Sequence, residues 1–430
     1  MKRYINPERN LWADLTERVV TDDAVIEERV RTIISRVRTD GDKALVSLAA
    51  EIDHVDLSDG VEVCNAEIEY AMQDVSPELK DAIASAYDNI YEFHSAQKFE
   101  PLDIVTSPGV RCVQKAVAVQ RVGLYIPGGS APLFSTVLML AVPAKVAGCP
   151  EVVLCTPCGK DGKVASAVLY AASLCGVDRI FKVGGAQAVA AMAYGTETIP
   201  AVDKIFGPGN RYVTKAKEIV SRNVAIDMPA GPSEVLVMAD ESAVPEYVAA
   251  DLLSQAEHGA DSQVILVCPT EELADRIEAE VALQLENLPR KDVAVKALEN
   301  SRMMVIQSLD IQIDFVNAYA PEHLIISLEE PWSVAERIRA AGSVFVGNFT
   351  PESAGDYASG TNHTLPTSGW ARSMSGVNLD SFVRKITYQE ITADGIRSLG
   401  KTIVTMAQAE GLDAHANAAL VRMKQPLILN

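Results

Sequence analysis

The stretch Val122-Gly-Leu-Tyr-Ile-Pro-Gly-Gly129 decides the fold, because it joins an apolar run directly to a pair of glycines. Similar short runs recur along the chain, and helix-forming stretches separate them. They are Val117 to Ile126, Val152 to Cys155, Arg179 to Val183, Lys204 to Phe206, Val224 to Ile226 and Val235 to Met238. Such alternation predicts a parallel sheet wrapped by helices.

The alternation continues after Ser242, which predicts a second, similar α/β domain. We expect helices that end at His258 and begin at Glu271, and strands at Val264 to Cys268 and near Val305, Leu324 and Val344.

Helices are expected to dominate both ends of the chain. The first hundred residues look helical, and one helix begins with Ser76 as N-cap and Pro77 at its first position. Beyond Asp380 the pattern predicts no further strand, only a helix that ends near Gly411 and a short helix over 414–423.

Charge and composition exclude several classes of protein. The 430 residues include 38 Lys and Arg against 58 Asp and Glu, for a net charge of −20, which repels nucleic acid and anionic lipid. No apolar run approaches the ~20 residues of a membrane span, and no secretion signal is evident at the N-terminus. The seven cysteines are an odd, scattered set, which favours a reducing compartment, so we expect a soluble cytoplasmic protein.

Glycines mark four predicted strand-to-helix junctions, at which backbone N–H groups can approach an anion. The junctions are Gly128-Gly129, Gly184-Gly185, Gly207-Pro-Gly209-Asn210 and Gly231-Pro-Ser233. None matches the G-x-G-x-x-G dinucleotide fingerprint. Each turn alone is compatible with simple chain reversal, but their clustering favours a ligand.

Gln255 and His258 are three residues apart at the end of a predicted helix, so both side chains leave from one face. They are compatible with a shared ligand or with an exposed or capping role near the helix end. Asp356 and His363 lie in a segment rich in Gly, Ser and Thr after the strand at Val344. Imidazole, carboxylate and amide oxygen together suit Zn²⁺, with Mn²⁺ or Co²⁺ as alternatives.

Glu322 and His323 are adjacent and would face opposite ways on a strand, so a common pocket requires a turn or a helix start. Pro321 favours a helix start, where the dipole would keep Glu322 ionised and lower the pKa of His323. His323 would then be a neutral base near pH 7. An exposed Glu-His pair without a catalytic role is the alternative.

Cys155-Thr-Pro-Cys158 is a C-x-x-C motif at a strand end, which would suit redox chemistry or a thiol nucleophile. No second pair accompanies it to make a zinc site, and its role stays open.

Seven motifs in this order resemble the histidinol dehydrogenase family, over a region from about Val122 to His415. They are Val122-Gly-Leu-Tyr-Ile-Pro-Gly-Gly129, Gly184-Gly-Ala-Gln-Ala188, Phe206-Gly-Pro-Gly-Asn210, Gly231-Pro-Ser-Glu234, Gln255-Ala-Glu-His-Gly259, Ala320-Pro-Glu-His-Leu324 and Gly355-Asp-Tyr357.

The resemblance implies zinc-dependent oxidation of L-histidinol to L-histidine through L-histidinal, with two NAD⁺, as the last steps of histidine biosynthesis. It implies His323 as general base and Glu322 as the group that activates water. It also implies Zn²⁺ ligands, NAD contacts and substrate contacts. The ligands are Gln255, His258, Asp356 and His415, the NAD contacts are Tyr125, Gln187 and Asn210, and the substrate contacts are Ser233, His363 and Glu410 together with the metal ligands and His323.

The expected fold class is α/β, with two Rossmann-like domains, a helical N-terminal segment and a small helical C-terminal tail. The expected divisions are an arm at 1–20, a larger domain at 21–124 with 233–377, an NAD-contacting domain at 125–232 and a tail at 378–430. By the same resemblance, the tail is exchanged in a homodimer and brings Glu410 and His415 to the partner's site.

Two rival functions fit the same residues. In a zinc hydrolase, Glu322 would activate metal-bound water and no nicotinamide would take part. In a metal-stabilised binding protein, Glu322 and His323 would have no catalytic role.

Overall fold

A computed structural model describes residues 1–18, 24–128, 132–229 and 231–424 of the chain. These residues form two compact units. The first contains Met1–Gln97 and Gln120–Phe382, and the second contains Lys98–Val119 and the chain from Val383 onward.

The strands are numbered in chain order. They are β1 (Lys2–Ile5), β2 (Leu102–Ser107), β3 (Val110–Ala118), β4 (Arg121–Tyr125), β5 (Glu151–Cys155), β6 (Arg179–Phe181), β7 (Lys204–Phe206), β8 (Ala225–Ile226), β9 (Glu234–Ala239), β10 (Gln263–Cys268), β11 (Arg302–Val305), β12 (His323–Ser327), β13 (Ser343–Val346) and β14 (Val383–Ile391).

The α-helices are numbered in the same way. They are α1 (Trp12–Leu15), α2 (Ala24–Asp40), α3 (Asp42–Leu48), α4 (Asn65–Asp74), α5 (Pro77–Ser95), α6 (Phe134–Val146), α7 (Ser166–Leu174), α8 (Gly185–Tyr194), α9 (Arg211–Val220), α10 (Pro245–Ala256), α11 (Glu271–Leu285), α12 (Lys291–Glu299), α13 (Leu309–Tyr319), α14 (Pro331–Ala335), α15 (Glu352–Tyr357), α16 (Ala393–Ala409) and α17 (Asp413–Met423).

The first unit contains two parallel sheets, which confirms the predicted α/β class. One sheet has the order β1-β11-β10-β9-β12-β13 and the other has the order β6-β5-β4-β7-β8. Apart from β1, each sheet places its first strand centrally, the next two on one side and the last two on the other. This is the strand order of a doubly wound sheet. Apolar clusters cover both faces of the larger sheet, so β9, β10 and β12 are buried along their whole length.

The N-terminus departs from the helical expectation. Lys2–Ile5 is a strand that pairs in parallel with β11, about 300 residues away along the chain. Helices follow as expected, and α5 begins as predicted: the Ser76 side chain accepts the Leu79 N–H at 3.2 Å, and Pro77 is the first helical residue.

The second unit has an antiparallel sheet of order β14-β3-β2, together with α16 and α17, which pack against each other. The two helices confirm the expectation for the C-terminus. The expectation of no strand beyond Asp380 is wrong, because β14 occupies Val383–Ile391. Its side chains are mostly exposed and polar, so it lacks the apolar run that marks a buried strand.

Three of the four predicted glycine junctions connect a strand to a helix, although Gly129 lies outside the described residues. Gly231-Pro-Ser233 is the exception, because it connects β8 to β9 and so leads from one sheet into the other. Gly207 has φ +128°, and a Cβ there would collide with the carbonyl oxygen of Tyr125. Among the described residues, no helix has the length and apolar character needed to cross a bilayer.

Candidate metal and catalytic site

Glu234, the first residue of β9, connects three of the predicted site residues through its backbone. Its N–H donates to Glu322 Oε2 at 2.8 Å. Its carbonyl oxygen accepts from Gln255 Nε2 at 3.1 Å and lies 3.1 Å from His323 Nδ1. The structure therefore brings Gln255, Glu322 and His323 together at the amino ends of β9 and β12.

The path of the chain explains why these three residues lie close together. Helix α10 follows β9 and returns across the sheet, so Gln255 in its last turn comes back to the level of Glu234 and is buried. His258 lies just beyond the helix and is exposed, with Nδ1 2.9 Å from the Ser254 carbonyl oxygen. An Nδ1–H donated to that oxygen leaves Nε2 to act as a metal ligand.

Acidic side chains surround the buried His323. Its Nδ1 lies 3.6 Å from Glu322 Oε2 and 3.8 Å from Glu352 Oε1, and its Nε2 lies 3.9 Å from Asp356 Oδ1. Burial lowers the pKa of His323, but attraction to Glu352, Glu322 and Asp356 outweighs it and raises the pKa to about 10.

The expected helix start at Pro321 is therefore wrong, and so is the lowered pKa of His323. Helix α13 ends at Tyr319, Ala320 adopts a left-handed conformation with φ 55°, and His323 begins β12. The pair does not lie at a helix start, and the nearby carboxylates raise the pKa of His323.

Asp356 and His363 lie in contact, as expected from their positions on one segment. His363 Nδ1 lies 2.9 Å from the Asp356 carbonyl oxygen, and His363 Nε2 lies 3.3 Å from Thr136 Oγ1. Burial lowers the pKa of His363, which favours a neutral imidazole. Ser233 directly precedes Glu234, and its carbonyl oxygen accepts the Gln263 N–H at 3.1 Å.

Glu352 was not singled out from the sequence, although it belongs to the same group. One ligand atom from each of His323, Glu352 and Asp356 lies within 4.8 Å of the others. Glu352 Oε2 is buried and has no hydrogen-bond partner among the residues that the structure describes, and burial raises the pKa of the carboxyl group. The signal in the sequence was its spacing, because Glu352 and Asp356 are four residues apart and share a helix face.

The donor types in this region fit a divalent metal. Amide oxygen, imidazole and carboxylate are all available, and the buried Glu352 adds negative charge that a cation would offset. Gln255 and Asp356 flank His323, at 3.1 Å from Nδ1 and 3.9 Å from Nε2.

Glu410 and His415 belong to the second unit. Glu410 is the C-cap of α16, and His415 lies in the first turn of α17, with its N–H donating to the Leu412 carbonyl oxygen at 3.0 Å. Both side chains are exposed. Their predicted roles stay predictions.

A cavity of about 690 Å³ lies at the carboxyl edge of the five-stranded sheet, and it contains all three predicted NAD contacts. Tyr125 ends β4, and its hydroxyl accepts the Gly185 N–H at 3.1 Å, while Gln187 Nε2 donates to Asp53 Oδ2 at 3.1 Å. Asn210 follows β7 and caps α9, with its side chain accepting the N–H groups of Tyr212 and Val213. In doubly wound sheets, ligands usually bind at this edge.

The cysteines of the C-x-x-C motif are both reduced thiols. Cys155 is fully buried, whereas Cys158 is half-buried and lines the cavity. Burial raises the pKa of both thiols, which disfavours the thiolate that a nucleophile requires.

Comparison with known proteins identifies the family. Residues 16–423 match the family model for histidinol dehydrogenase. The histidinol dehydrogenase of Bacteroides thetaiotaomicron is 57% identical over 424 residues, which cover 98% of this chain and 99% of that protein. That of Aliivibrio fischeri is 52% identical over 409 residues, covering 94% of this chain and 92% of that protein.

A solved structure leads to the same family. The crystal structure of histidinol dehydrogenase from Elizabethkingia anophelis matches with a TM-score of 0.96 and 52% identity, covering 99% of this chain and 98% of that one. The chain therefore belongs to the histidinol dehydrogenase family.

Proposed function

We propose that this protein oxidises L-histidinol to L-histidine through L-histidinal and reduces two NAD⁺, as the last steps of histidine biosynthesis. Membership of the family supports the substrate and the reaction. The observation that carries the chemistry is the contact of Glu322, His323 and Gln255 with one backbone residue, Glu234.

In this proposal, Zn²⁺ is held by Gln255, His258 and Asp356 together with His415. The metal supplies a fixed positive charge that orients the imidazole and amine of the substrate. The donor types and the unpartnered Glu352 oxygen support a cation here. Ser233, His363 and Glu410 would complete the substrate contacts.

His323 acts as general base in the first oxidation. An Nδ1–H donated to the Glu234 carbonyl oxygen leaves Nε2 to accept the alcohol proton while hydride leaves for NAD⁺. A metal held beside Asp356 would offset the negative charge that raises the pKa of His323, and more of His323 would then be neutral and able to accept a proton.

Glu322 acts in the second oxidation. The Glu234 N–H holds one carboxylate oxygen, and the carboxylate removes a proton from the water that adds to the aldehyde. The hydrate then gives a second hydride to NAD⁺ and becomes the carboxylate of histidine.

NAD occupies the cavity at the five-stranded sheet, where Tyr125, Gln187 and Asn210 contact it. The volume suits a ligand of that size, and the glycine turns allow close approach of the backbone. We also propose a cytoplasmic homodimer in which each C-terminal tail brings Glu410 and His415 to the other subunit.

A histidinol-dependent assay of NADH formation tests the proposal. We expect two NADH per histidinol and loss of activity on chelation, with recovery on adding Zn²⁺. Hydrolysis that is sensitive to a chelator but reduces no cofactor would instead favour the zinc hydrolase. Binding of histidinol without turnover would favour the binding protein.

A further inference from the structure

A buried ion pair lies directly behind the candidate site. Arg18 Nε donates to Glu234 Oε1 at 2.9 Å, and Arg18 Nη2 donates to Glu234 Oε2 at 2.8 Å. The side chains are 14% and 2% exposed, and the guanidinium lies 3.6 Å from the centre of the Tyr319 ring. Two parallel hydrogen bonds fix the orientation of the carboxylate as well as its charge.

Further contacts hold both partners in place. Arg18 also donates from Nη1 to the Thr16 carbonyl oxygen and from Nη2 to the Tyr319 carbonyl oxygen, each at 2.8 Å. Glu234 Oε1 accepts the Ser368 N–H at 2.7 Å. Two separate parts of the chain, at Arg18 and Ser368, therefore hold the Glu234 side chain, and Arg18 is itself held by Thr16 and Tyr319.

The backbone of Glu234 is the part that faces the candidate site. Its N–H holds Glu322, and its carbonyl oxygen contacts Gln255 and His323. A change in the backbone torsions of Glu234 would move the Glu322 carboxylate, change the hydrogen bond that selects the His323 tautomer, and release the Gln255 amide.

Stability alone is a weak reason for such a pair. Burying two charges costs free energy that apolar packing would not, and the rest of β9, Val235–Ala239, is entirely apolar and buried. The charged residue lies at the position of the strand whose backbone makes hydrogen bonds to the side chains of the site.

We propose that Arg18 is a positioning residue: by fixing the Glu234 side chain, it fixes the Glu234 backbone, whose N–H and carbonyl oxygen orient Glu322, His323 and Gln255. Arg18 acts through Glu234 and touches no reacting atom. The inference rests on the proposed function for its activity readout.

The test compares two lysine substitutions in the full-length, zinc-loaded protein. Arg18→Lys keeps the charge but removes the double hydrogen bond. Arg179→Lys is the control for the same chemical change away from the site, because Arg179 makes a similar double hydrogen bond to Glu62, at 2.8 and 2.7 Å, and lies 4.9 Å from the Phe181 ring centre. The Arg179–Glu62 pair is more exposed than the Arg18–Glu234 pair, at 35% and 40%. Circular dichroism sets a temperature at which all variants are folded.

We expect Arg18→Lys to lower kcat for histidinol by about tenfold to a hundredfold, the range for slight misplacement of catalytic groups. The KM for NAD⁺ should stay unchanged, because Arg18 does not line the cavity. Arg179→Lys should keep kcat within about twofold of the original protein, since exposed pairs contribute little. A general loosening of the fold would change both kcat for histidinol and the KM for NAD⁺, and so would not lower kcat alone.

A folded Arg18→Lys protein with undiminished kcat, or an equal loss in Arg179→Lys, overturns the inference. If Arg18→Lys does not fold, Glu234→Gln takes its place, since it keeps the shape of the side chain and weakens the pair, and an unchanged kcat again overturns it.

A second measurement separates this inference from the proposed function. If the original protein forms no NADH from histidinol, the proposed function fails. Competition of a chelator for bound Zn²⁺ then tests the positioning role, because the Glu234 carbonyl oxygen orients Gln255. Faster loss of Zn²⁺ from Arg18→Lys than from Arg179→Lys supports the role, and equal loss overturns it.

Discussion

At the scale of single residues, His323 shows how strongly neighbouring charges can act on a buried imidazole. Burial alone would keep it neutral, whereas Glu322, Glu352 and Asp356 raise its pKa to about 10. Burial raises the pKa of Glu352 itself, and the attraction to a protonated His323 opposes that rise. The metal-free site therefore favours a proton on His323 at neutral pH.

This state predicts a pH dependence of stability for the metal-free protein. The folded pKa of His323 exceeds its ordinary value of 6.5, so its contribution is complete below about pH 6.5 and is lost as the pH rises through about 10. The raised pKa of Glu352 acts in the same direction. Thermal unfolding should show a Tm that falls by several degrees over that interval.

Glu352→Gln should flatten this dependence, because it removes one carboxylate beside His323. Glu329→Gln, at an exposed carboxylate after β12, is the control and should leave the dependence intact. The explanation is wrong if the Tm of Glu352→Gln follows pH as steeply as that of the unchanged protein.

A kinetic prediction concerns Glu322. Glu322→Gln should slow oxidation of histidinal by about 100-fold, the scale of general base catalysis, and should affect histidinol oxidation much less. Stopped-flow measurement of NADH from each substrate separates the steps. Equal slowing of both would contradict the role assigned to Glu322.

At the scale of elements, helix α9 combines a structural and a functional role at one residue. Asn210 caps the helix and lines the cavity. Asn210→Ala should therefore lower the free energy of unfolding by about 1 kcal/mol, as loss of an N-cap usually does. Chemical denaturation measures this change.

Asn210→Asp separates the two roles, because aspartate caps equally well but adds negative charge near a bound dinucleotide. Stability should stay unchanged while the KM for NAD⁺ rises several-fold. An unchanged KM would remove Asn210 from the NAD contacts.

The elements also show what the sequence could predict. The parallel strands and α5 were predictable because buried apolar runs and the Ser76-Pro77 cap are local signals. Strand β2 and most of β3 were missed, because few of their side chains are fully buried. Strands β1 and β14 were missed as well, since one has four residues and the other is mostly polar and exposed. Their pairing depends on partners far away in the chain, which a local pattern does not contain.

The site was predictable to a similar extent. Side-chain types identified Gln255, Glu322, His323 and Asp356, and the structure brings them together. Glu234 acts on them through its backbone, and its side chain gives no hint of that role. The start of β12 was predicted to be a helix start because proline is compatible with the first position of a helix as well as with the segment that leads into a strand.

At the scale of the whole molecule, the proposed exchange of tails predicts complementation between inactive variants. His323→Ala and His415→Ala should each be inactive. Unfolded together and refolded as a mixture, they should recover about a quarter of full activity, because half of randomly formed dimers are mixed and each contains one intact site. No recovery would place His415 in the site of its own chain.

The metal should also stabilise the protein as a whole. Zn²⁺ at 100 times its Kd should add about 2.7 kcal/mol to the free energy of unfolding, because it binds only the folded state. Calorimetry with and without Zn²⁺ measures this, and Asp356→Asn should reduce the effect. An unchanged Tm would contradict a metal site.

The candidate site uses the amino ends of β9 and β12, which leaves the opposite ends of these strands free of any residue assigned to it. The loop after β12 is one such place, and its Glu329 and Glu330 are exposed. Exposed loop tips tolerate inserted sequence. A fluorescent protein or an affinity peptide spliced between these two residues should thus give an active fusion, suited to immobilising the enzyme with its catalytic groups facing away from the support.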